Sequence, residues 1–499
     1  FRRHVHIRKG YHYDQDVNLS LRYSVFSVLG ALKSIFPGIL SAIKRYFSRS
    51  DLIEDEKFDI IALAYQPKPS SGFNDLFWAE KFRENTTRKI LGVYFTELSE
   101  SCYNFYSSKV NKFESVNGYA SSFLNFQNKK SPQASGRYLL GVAKMLPRLF
   151  FQLLRGKISF IFASFFISLN NAILFYIELM KMTGARYSWT MLEGNEINSV
   201  AITIAAGRNK GTCFGTTWSL WPLPQLIAGY ARNNILFIWG EHHRNVFTDS
   251  KALPGHLINS GYPTGGIYLN KVSQSFDKST YFNNTTLNDV NKKIVTFYDN
   301  ICRVDIHISC EALQNLYFSL LAWLENNQNI LLIIKTKREA VFNLLKKETK
   351  EKIYKLEKSG ALIIKEEKGD LATGLASDLV IGISSSSLAC LAASYGKRCI
   401  LFNQYNMMVD DGLSMKLPSV TCIRTVEELS EAIDLCLSLP VETNERGGYI
   451  NSFTDEQNNI RISSFMDSIM KKEEEGYSIE SAIKASELEY NSKYSNLNY

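Results

Sequence analysis

No two of the eight cysteines form a C-x-x-C pair, and several sit inside apolar runs. That spacing argues against a zinc site and fits buried free thiols in a reducing, cytoplasmic compartment. The chain has no GxxxxGK[ST] and no HExxH motif, and Asp410 and Asp411 do not form a DxD, so no metal is expected to be required. Charge of one sign is scarce as well. A formal net charge of +8 over 499 residues, without a zinc-finger, Arg-rich or RNP pattern, is too mild for a nucleic-acid partner. It suits an anionic substrate or an acidic membrane surface. Within the apolar segment from Gly136 to Met182 the longest uncharged piece, Ile158 to Ile177, is interrupted by Asn170 and Asn171, and amides at that depth are costly in lipid. The apolar segment from Gly136 to Met182 therefore reads as helices buried in a core. A helix lying on an anionic membrane face, with Lys144, Arg148, Arg155 and Lys157 just before it, is the second reading. The opening "FRRHVHIRKGYHYDQD" is basic but lacks an apolar core and a cleavage site, so it is not expected to be a secretion signal. No internal repeat stands out.

What is present is a globular composition, 45% hydrophobic and 21% charged, in a chain long enough for two or three domains. "FDIIALAYQ" is a buried strand, and from Arg186 onward strands and helices alternate: "SVAITIAAGRNKG" (helix), "TCFGT" and "NILFIWG" (strands), and "HLINSGYP" (short strand and break). A polar linker around "FNNTTLNDVNKK" precedes "KIVTFYDN", a helix at "ALQNLYFSLLAWLENN", "ILLIIKTKR" and "GALIIKEE". The stretch after Val441 is polar and reads as a surface helix and a frayed tail.

The most informative segment is "LASDLVIGISSSSLACLAASYGKRCILFN" (Leu375 to Asn403). Leu379 to Ile383 reads as a buried parallel strand, Leu388 to Tyr395 as a helix with Gly396 at its C-cap, and Arg398 to Phe402 as another strand. In this βαβ unit Ser384, Ser385, Ser386 and Ser387 lie between a strand's carboxyl end and a helix's amino end. Free N–H groups and the helix dipole favour an anion there, and small side chains let a phosphate approach the backbone. One serine suffices as a cap, which leaves three for another role.

This order of blocks resembles the GT-B glycosyltransferases of bacterial surface-polysaccharide synthesis. The resemblance rests on "NILFIWGEHHRNVF" with "INSGYP", "IVTFYDN", "ILLIIKTKR" and "SDLVIGISSSSLACLAASYGKRCILFN", and covers about Tyr187 to Ser438. The chain departs from the family in lacking the EX7E pattern and the donor-domain His-Pro dipeptide, near whose usual place stand Lys335 and Lys337. The resemblance implies an α/β fold of two Rossmann-like, doubly wound domains facing a central cleft. The expected division is a helical and basic segment (1–57), an acceptor-side domain (58–280) with the apolar insert 136–182, a nucleotide-sugar-binding domain (290–440) and C-terminal helices with a polar tail (441–499). It further implies a nucleotide-sugar as donor substrate, no required cofactor and a glycan or lipid-linked acceptor. The place of action would be the cytoplasm, peripheral on the inner face of the cell membrane.

In that scheme Gly382, the four serines, Lys335, Lys337 and Arg338 would receive the donor's phosphates. Three cations after a buried strand are equally well read as a solvated strand end. Glu193, then Glu196, in "MLEGNEIN" are the candidates for a general base, although a cap or turn acid explains either. Trp218, Glu241, His242 and His243 are candidates for the acceptor or cleft, the histidines being read as loop residues after a strand. Adjacent histidines point apart, which argues against a shared metal. Nucleotide-sugar 2-epimerases and polyol-phosphate transferases share the two-domain shape and are the second reading. A non-catalytic assembly partner that binds no nucleotide is the third.

Overall fold

The computed structural model describes residues 57–65, 74–94, 99–115, 140, 144, 147, 160–191, 197–220, 233–249, 254–263, 292–300, 308–336, 339–365, 371–384, 386–405, 417, 419–439, 448–455 and 457–494. Among these, the first half contains β1 (Ile60–Ala64), α1 (Ala79–Asn85), β2 (Ile90–Tyr94), α2 (Glu100–Lys109), β3 (Lys112–Ser115), α3 (Phe160–Thr183), β4 (Tyr187–Thr190), α4 (Ile197–Arg208), β5 (Thr212–Thr216), β6 (Ile235–Ile238), α5 (Glu241–Asp249) and β7 (His256–Asn259). The second half contains β8 (Lys293–Tyr298), α6 (Cys310–Glu325), β9 (Ile330–Lys335), α7 (Glu339–Leu344), α8 (Lys347–Lys358), β10 (Leu362–Lys365), α9 (Leu371–Ala376), β11 (Leu379–Ile383), α10 (Ser387–Ser394), β12 (Arg398–Phe402), β13 (Val420–Ile423) and α11 (Leu429–Ser438). Two further helices follow, α12 (Asn458–Glu474) and α13 (Ile479–Tyr494).

The strands form two sheets, in the orders β3-β2-β1-β4-β5-β6-β7 and β10-β9-β8-β11-β12-β13. The apolar runs of β9 ("ILLIIK") and β11 ("LVIGI") are buried throughout, as strands covered on both faces must be. Chain contacts divide the molecule into two compact units, residues 1–65, 88–189 and 196–213 in one and residues 66–87, 190–195 and 214–499 in the other.

In the first unit, Ile61 and Leu63 of β1 and Leu91 and Val93 of β2 pack with Phe175, Tyr176 and Leu179 of α3 and with Ala201, Ile202 and Ala205 of α4. This part of the apolar segment is therefore core. No helix among the described residues is long and apolar enough to cross a membrane.

In the second unit, the sheet β8–β13 is covered on one face by α6, α8 and α11 and on the other by α9 and α10. The C-terminal residues differ from the expected surface helix and frayed tail. Ser452 donates its N–H to the Trp239 carbonyl (2.8 Å), and Tyr449 offers its carbonyl to the His242 N–H (2.8 Å). A Cβ on Gly240 would lie 2.8 Å from the Gly448 carbonyl oxygen, so this close seat requires glycine. Next, α12 and α13 pack back on residues near β7 and α1: Ser463 Oγ donates to the Trp78 carbonyl, and Tyr490 Oη to the Asn259 carbonyl. The polar composition that suggested a tail belongs to the outer faces of these helices, whose inner faces bury Ile462, Phe465, Met466, Ala482 and Ile483.

Arg461 fastens this return. Its guanidinium is buried, pairs with both Asp455 oxygens (2.8 Å each), donates to the Ser260 carbonyl (3.0 Å) and lies 3.9 Å from the Phe453 ring centre. Burial opposes the Asp455 charge, but the Arg461 hydrogen bonds and charge outweigh it and hold the carboxyl below its usual value. The stabilisation is therefore present at neutral pH and lost as pH falls through that lowered value. Replacing Arg461 by Ala removes a buried guanidinium, its pair with the exposed Asp455 and its aromatic contact together, and should cost about 2 kcal/mol in urea unfolding near pH 7.

Candidate functional site

The second sheet reverses its winding between β8 and β11, the place where ligands bind in open parallel sheets. Gly382 of β11 stands opposite Tyr298 of β8, which stands opposite Lys335 of β9. The carboxyl ends on either side of the switch thus carry Asp299 and Asn300, Lys335 and Thr336, and Ser384. All five are buried, Lys335 to 4% exposure, and Asn403 beyond β12 is buried as well. A row of buried polar groups at a sheet edge is costly unless something satisfies them. Internal partners are present: Tyr317 Oη on α6 donates to Asp299 Oδ2 (2.9 Å), and the Asp299 N–H donates to the Lys335 carbonyl (3.2 Å).

Ser384 is different. Its backbone is left-handed (φ 52°), a conformation that costs a non-glycine residue roughly 1–2 kcal/mol. Its Oγ is fully buried and has no hydrogen-bond partner among the described residues. The N–H of Ser384 donates to the Phe402 carbonyl (2.8 Å), which holds the strained residue at the sheet edge. Gly382 lets α10 sit tightly on β11, since a Cβ there would lie 2.7 Å from the Ala389 Cβ and 2.8 Å from the Ser386 Cβ. Gly396 ends the unit with φ 84°, as expected for its cap position.

The serines do not share one role. Ser386 occupies the N-cap of α10, but its hydroxyl makes no capping hydrogen bond, contrary to the expectation that a serine would cap this helix. Ser387 is the first residue of α10, and its Oγ instead accepts the Leu220 N–H (2.9 Å). Ser385 lies outside the described residues, as do Lys337, Arg338, Glu193 and Glu196.

The candidates for the acceptor or cleft also separate. His242 and His243 lie in the first turn of α5 rather than in a loop, because the helix begins directly after Gly240. Both are buried, His242 edge-on to Tyr449 (5.5 Å between ring centres) and His243 against Trp239 (4.6 Å). His243 Nδ1 accepts the Trp239 N–H (3.4 Å). Glu241 is exposed at the start of the same helix, with Arg244 Nε 3.5 Å away. Trp218 is half-buried, its Nε1 donating to the buried Asp75 (3.2 Å). The structure thus groups Gly382, Ser384, Ser386, Ser387 and Lys335 along one sheet edge, and gathers Trp218, His242 and His243 around Trp239, Tyr262 and Tyr449. Among the described residues no three His, Cys, Asp or Glu side chains are grouped so as to hold a metal ion. Sequence reasoning passed over Asn300, Thr336, Tyr317 and Asn403. The one signal for the strand-end residues was position: each directly follows an apolar strand or its last polar residue.

No protein-family model and no curated protein matches the chain. Solved structures do. One described as a UDP-N-acetylglucosamine 2-epimerase from Listeria monocytogenes aligns with TM-score 0.53 and 11% identity, over 83% of this chain and 97% of that one. The UDP-GlcNAc 2-epimerase from Neisseria meningitidis, bound to UDP-GlcNAc, aligns with TM-score 0.50 and 11% identity over 82% and 99%. A third, the UDP-N-acetylglucosamine 2-epimerase from Rickettsia bellii, aligns with TM-score 0.50 and 12% identity over 84% and 97%. The fold is of the GT-B type. Identities this low carry the fold and not the reaction.

Burial, followed by the neighbouring His242, holds the His243 imidazole well below its usual value of 6.5, with the Ser219 backbone pulling the other way. The unfolded chain therefore takes up a proton near 6.5 that the folded chain refuses, so stability is full above that pH and falls below it. Replacing His243 by Asn, which keeps an acceptor for the Trp239 N–H, should shrink the stability lost between pH 7 and pH 5.5 by about 1 kcal/mol, read by urea unfolding at both pH values.

Proposed function

We propose that this protein is a metal-independent glycosyltransferase that moves a sugar from a nucleotide-sugar donor to a surface-glycan acceptor, lipid-linked or polysaccharide. One observation carries the reading. At the switch point of the second sheet a fully buried serine hydroxyl has no partner among the described residues, next to the amino end of α10 and on the same sheet edge as Lys335. A donor phosphate supplies the missing partner for Ser384 and the negative charge favoured at a helix start, with Lys335 on the same sheet edge adding a cation.

In the proposed reaction the acceptor oxygen bonds to the donor's anomeric carbon while the bond from that carbon to the phosphate oxygen breaks. The acceptor's proton passes to a carboxylate, for which Glu193 and then Glu196 remain the candidates beyond β4. The departing nucleotide carries the negative charge, received by the α10 N–H groups, the serine hydroxyls, Lys335 and, in this proposal, Lys337 and Arg338. The same donor site would serve a nucleotide-sugar 2-epimerase, and the names of the three structures above favour that as the second reading. Incubation with a nucleotide-sugar alone separates the two: an epimer formed without acceptor indicates the epimerase.

The direct test is a thermal-shift titration with UDP, GDP, CMP and dTDP, with and without EDTA, on the wild type and on Ser384→Ala. The Ala variant should melt at the wild-type temperature or above it when no nucleotide is present, because an unsatisfied buried hydroxyl is removed. Its nucleotide-induced shift should fall to less than half, and EDTA should leave the wild-type shift unchanged. No shift with any nucleotide would overturn the reading in favour of a non-catalytic assembly role.

A further inference from the structure

The described start of the loop after β5, residues 217–220, is fastened to parts of the molecule well away in sequence. At its start, Trp239 Nε1–H donates to the Thr217 carbonyl (2.9 Å). Within it, the Ser219 N–H donates to Thr217 Oγ1 (3.2 Å), closing a tight turn under Trp218. Three residues on from Thr217, the Leu220 N–H donates to Ser387 Oγ (2.9 Å), across 167 residues of sequence. Trp218 itself is held by Asp75 through its indole N–H and lies 6.2 Å, centre to centre, from both Phe77 and Tyr262. It remains half-buried, whereas Trp78, Trp189 and Trp239 are fully buried. Trp218 and Leu388, the residue after Ser387, pack on the rim of the same apolar cluster.

We propose that Trp218 is the platform on which the donor's sugar ring packs, and that Ser387 is the positioning residue that holds this platform beside the serine loop. The inference rests on the nucleotide-sugar reading above and deepens it. A pyranose presents a face of C–H groups that packs on an aromatic face, while its hydroxyls point outward to polar partners. Two residues of chain span at most about 7 Å, so Trp218 stands within one sugar's reach of a phosphate held at the start of α10. Ser387 can serve both sides at once. Its oxygen accepts the Leu220 N–H and its own proton stays available to an anion, and accepting one hydrogen bond strengthens the other. The hydroxyl that meets the phosphate would thereby set the distance to the indole.

The test compares each nucleotide with its sugar-bearing form by calorimetry: UDP with UDP-N-acetylglucosamine, GDP with GDP-mannose, CMP with CMP-sialic acid, and dTDP with dTDP-glucose. Trp218→Ala should weaken the sugar nucleotide about tenfold. It should change the Kd of the bare nucleotide less than twofold. Trp218→Phe, which keeps an aromatic face, should fall between Ala and wild type. Ser387→Ala should weaken both ligands, and Ser387→Thr, which keeps the hydroxyl, should restore both. Melting temperatures measured alongside identify any variant that has lost its fold. If the bare nucleotide binds and Trp218→Ala and Trp218→Phe weaken both forms equally or neither, the platform is wrong while the nucleotide reading stands. If none of the eight ligands binds the wild type, both fail.

Discussion

Every strand of the second sheet runs in the same direction, and that constraint organises the rest of the molecule's chemistry. Parallel pairing puts all strand ends on one edge and starts each crossover helix there. The edge therefore collects helix amino ends, with their exposed N–H groups, beside whatever polar residues terminate the strands. The winding reverses between β8 and β11, and in open parallel sheets the connections on the two sides of such a reversal leave in opposite directions. Ser384, Asn300 and Lys335 are buried at that edge because the fold brings them there, and among the described residues the Ser384 hydroxyl has no partner.

The serine loop shows how such a site is built from small parts. Gly382 lets α10 lie close on β11, the left-handed backbone of Ser384 turns the chain abruptly, and the bond from the Ser384 N–H to Phe402 fixes the turn. A strained backbone and an unsatisfied hydroxyl in one residue are both unfavourable to folding, and they occur together in the middle of a tightly packed βαβ unit. Surroundings as well determined as the cluster of Val380, Ala389, Leu391 and Leu401 can hold such a residue in place.

A second ordering element is the chain's return after α11. Residues 448–453 lie on Trp239 and Gly240, and Arg461 ties α12 to Ser260 and Asp455. The same neighbourhood contains Trp239 packed edge to face with Tyr262, His242 edge to face with Tyr449, and His243 tilted against Trp239. Burial here is deep enough to keep His243 neutral, which makes it a packing and positioning group beside the Trp218 loop rather than a proton carrier at ordinary pH.

Local sequence was enough to determine the alternation of strands and helices, the βαβ unit of residues 379–402, the glycine at its cap and the place of the serines at a strand-to-helix junction. These features leave a mark within a few residues, as apolar runs, helical spacing and turn residues, because each depends on side chains that are neighbours along the chain. The tertiary structure alone decided that β8 lies next to β11, so that Asn300, Lys335 and Ser384 end strands on one sheet edge. It alone turned Ser387 toward Leu220, moved the two histidines from a loop into a buried helix, and folded a polar tail into two packed helices. Strand order and hydrogen bonds across 167 residues are choices among partners that look alike locally, and only simultaneous packing of the whole chain selects one.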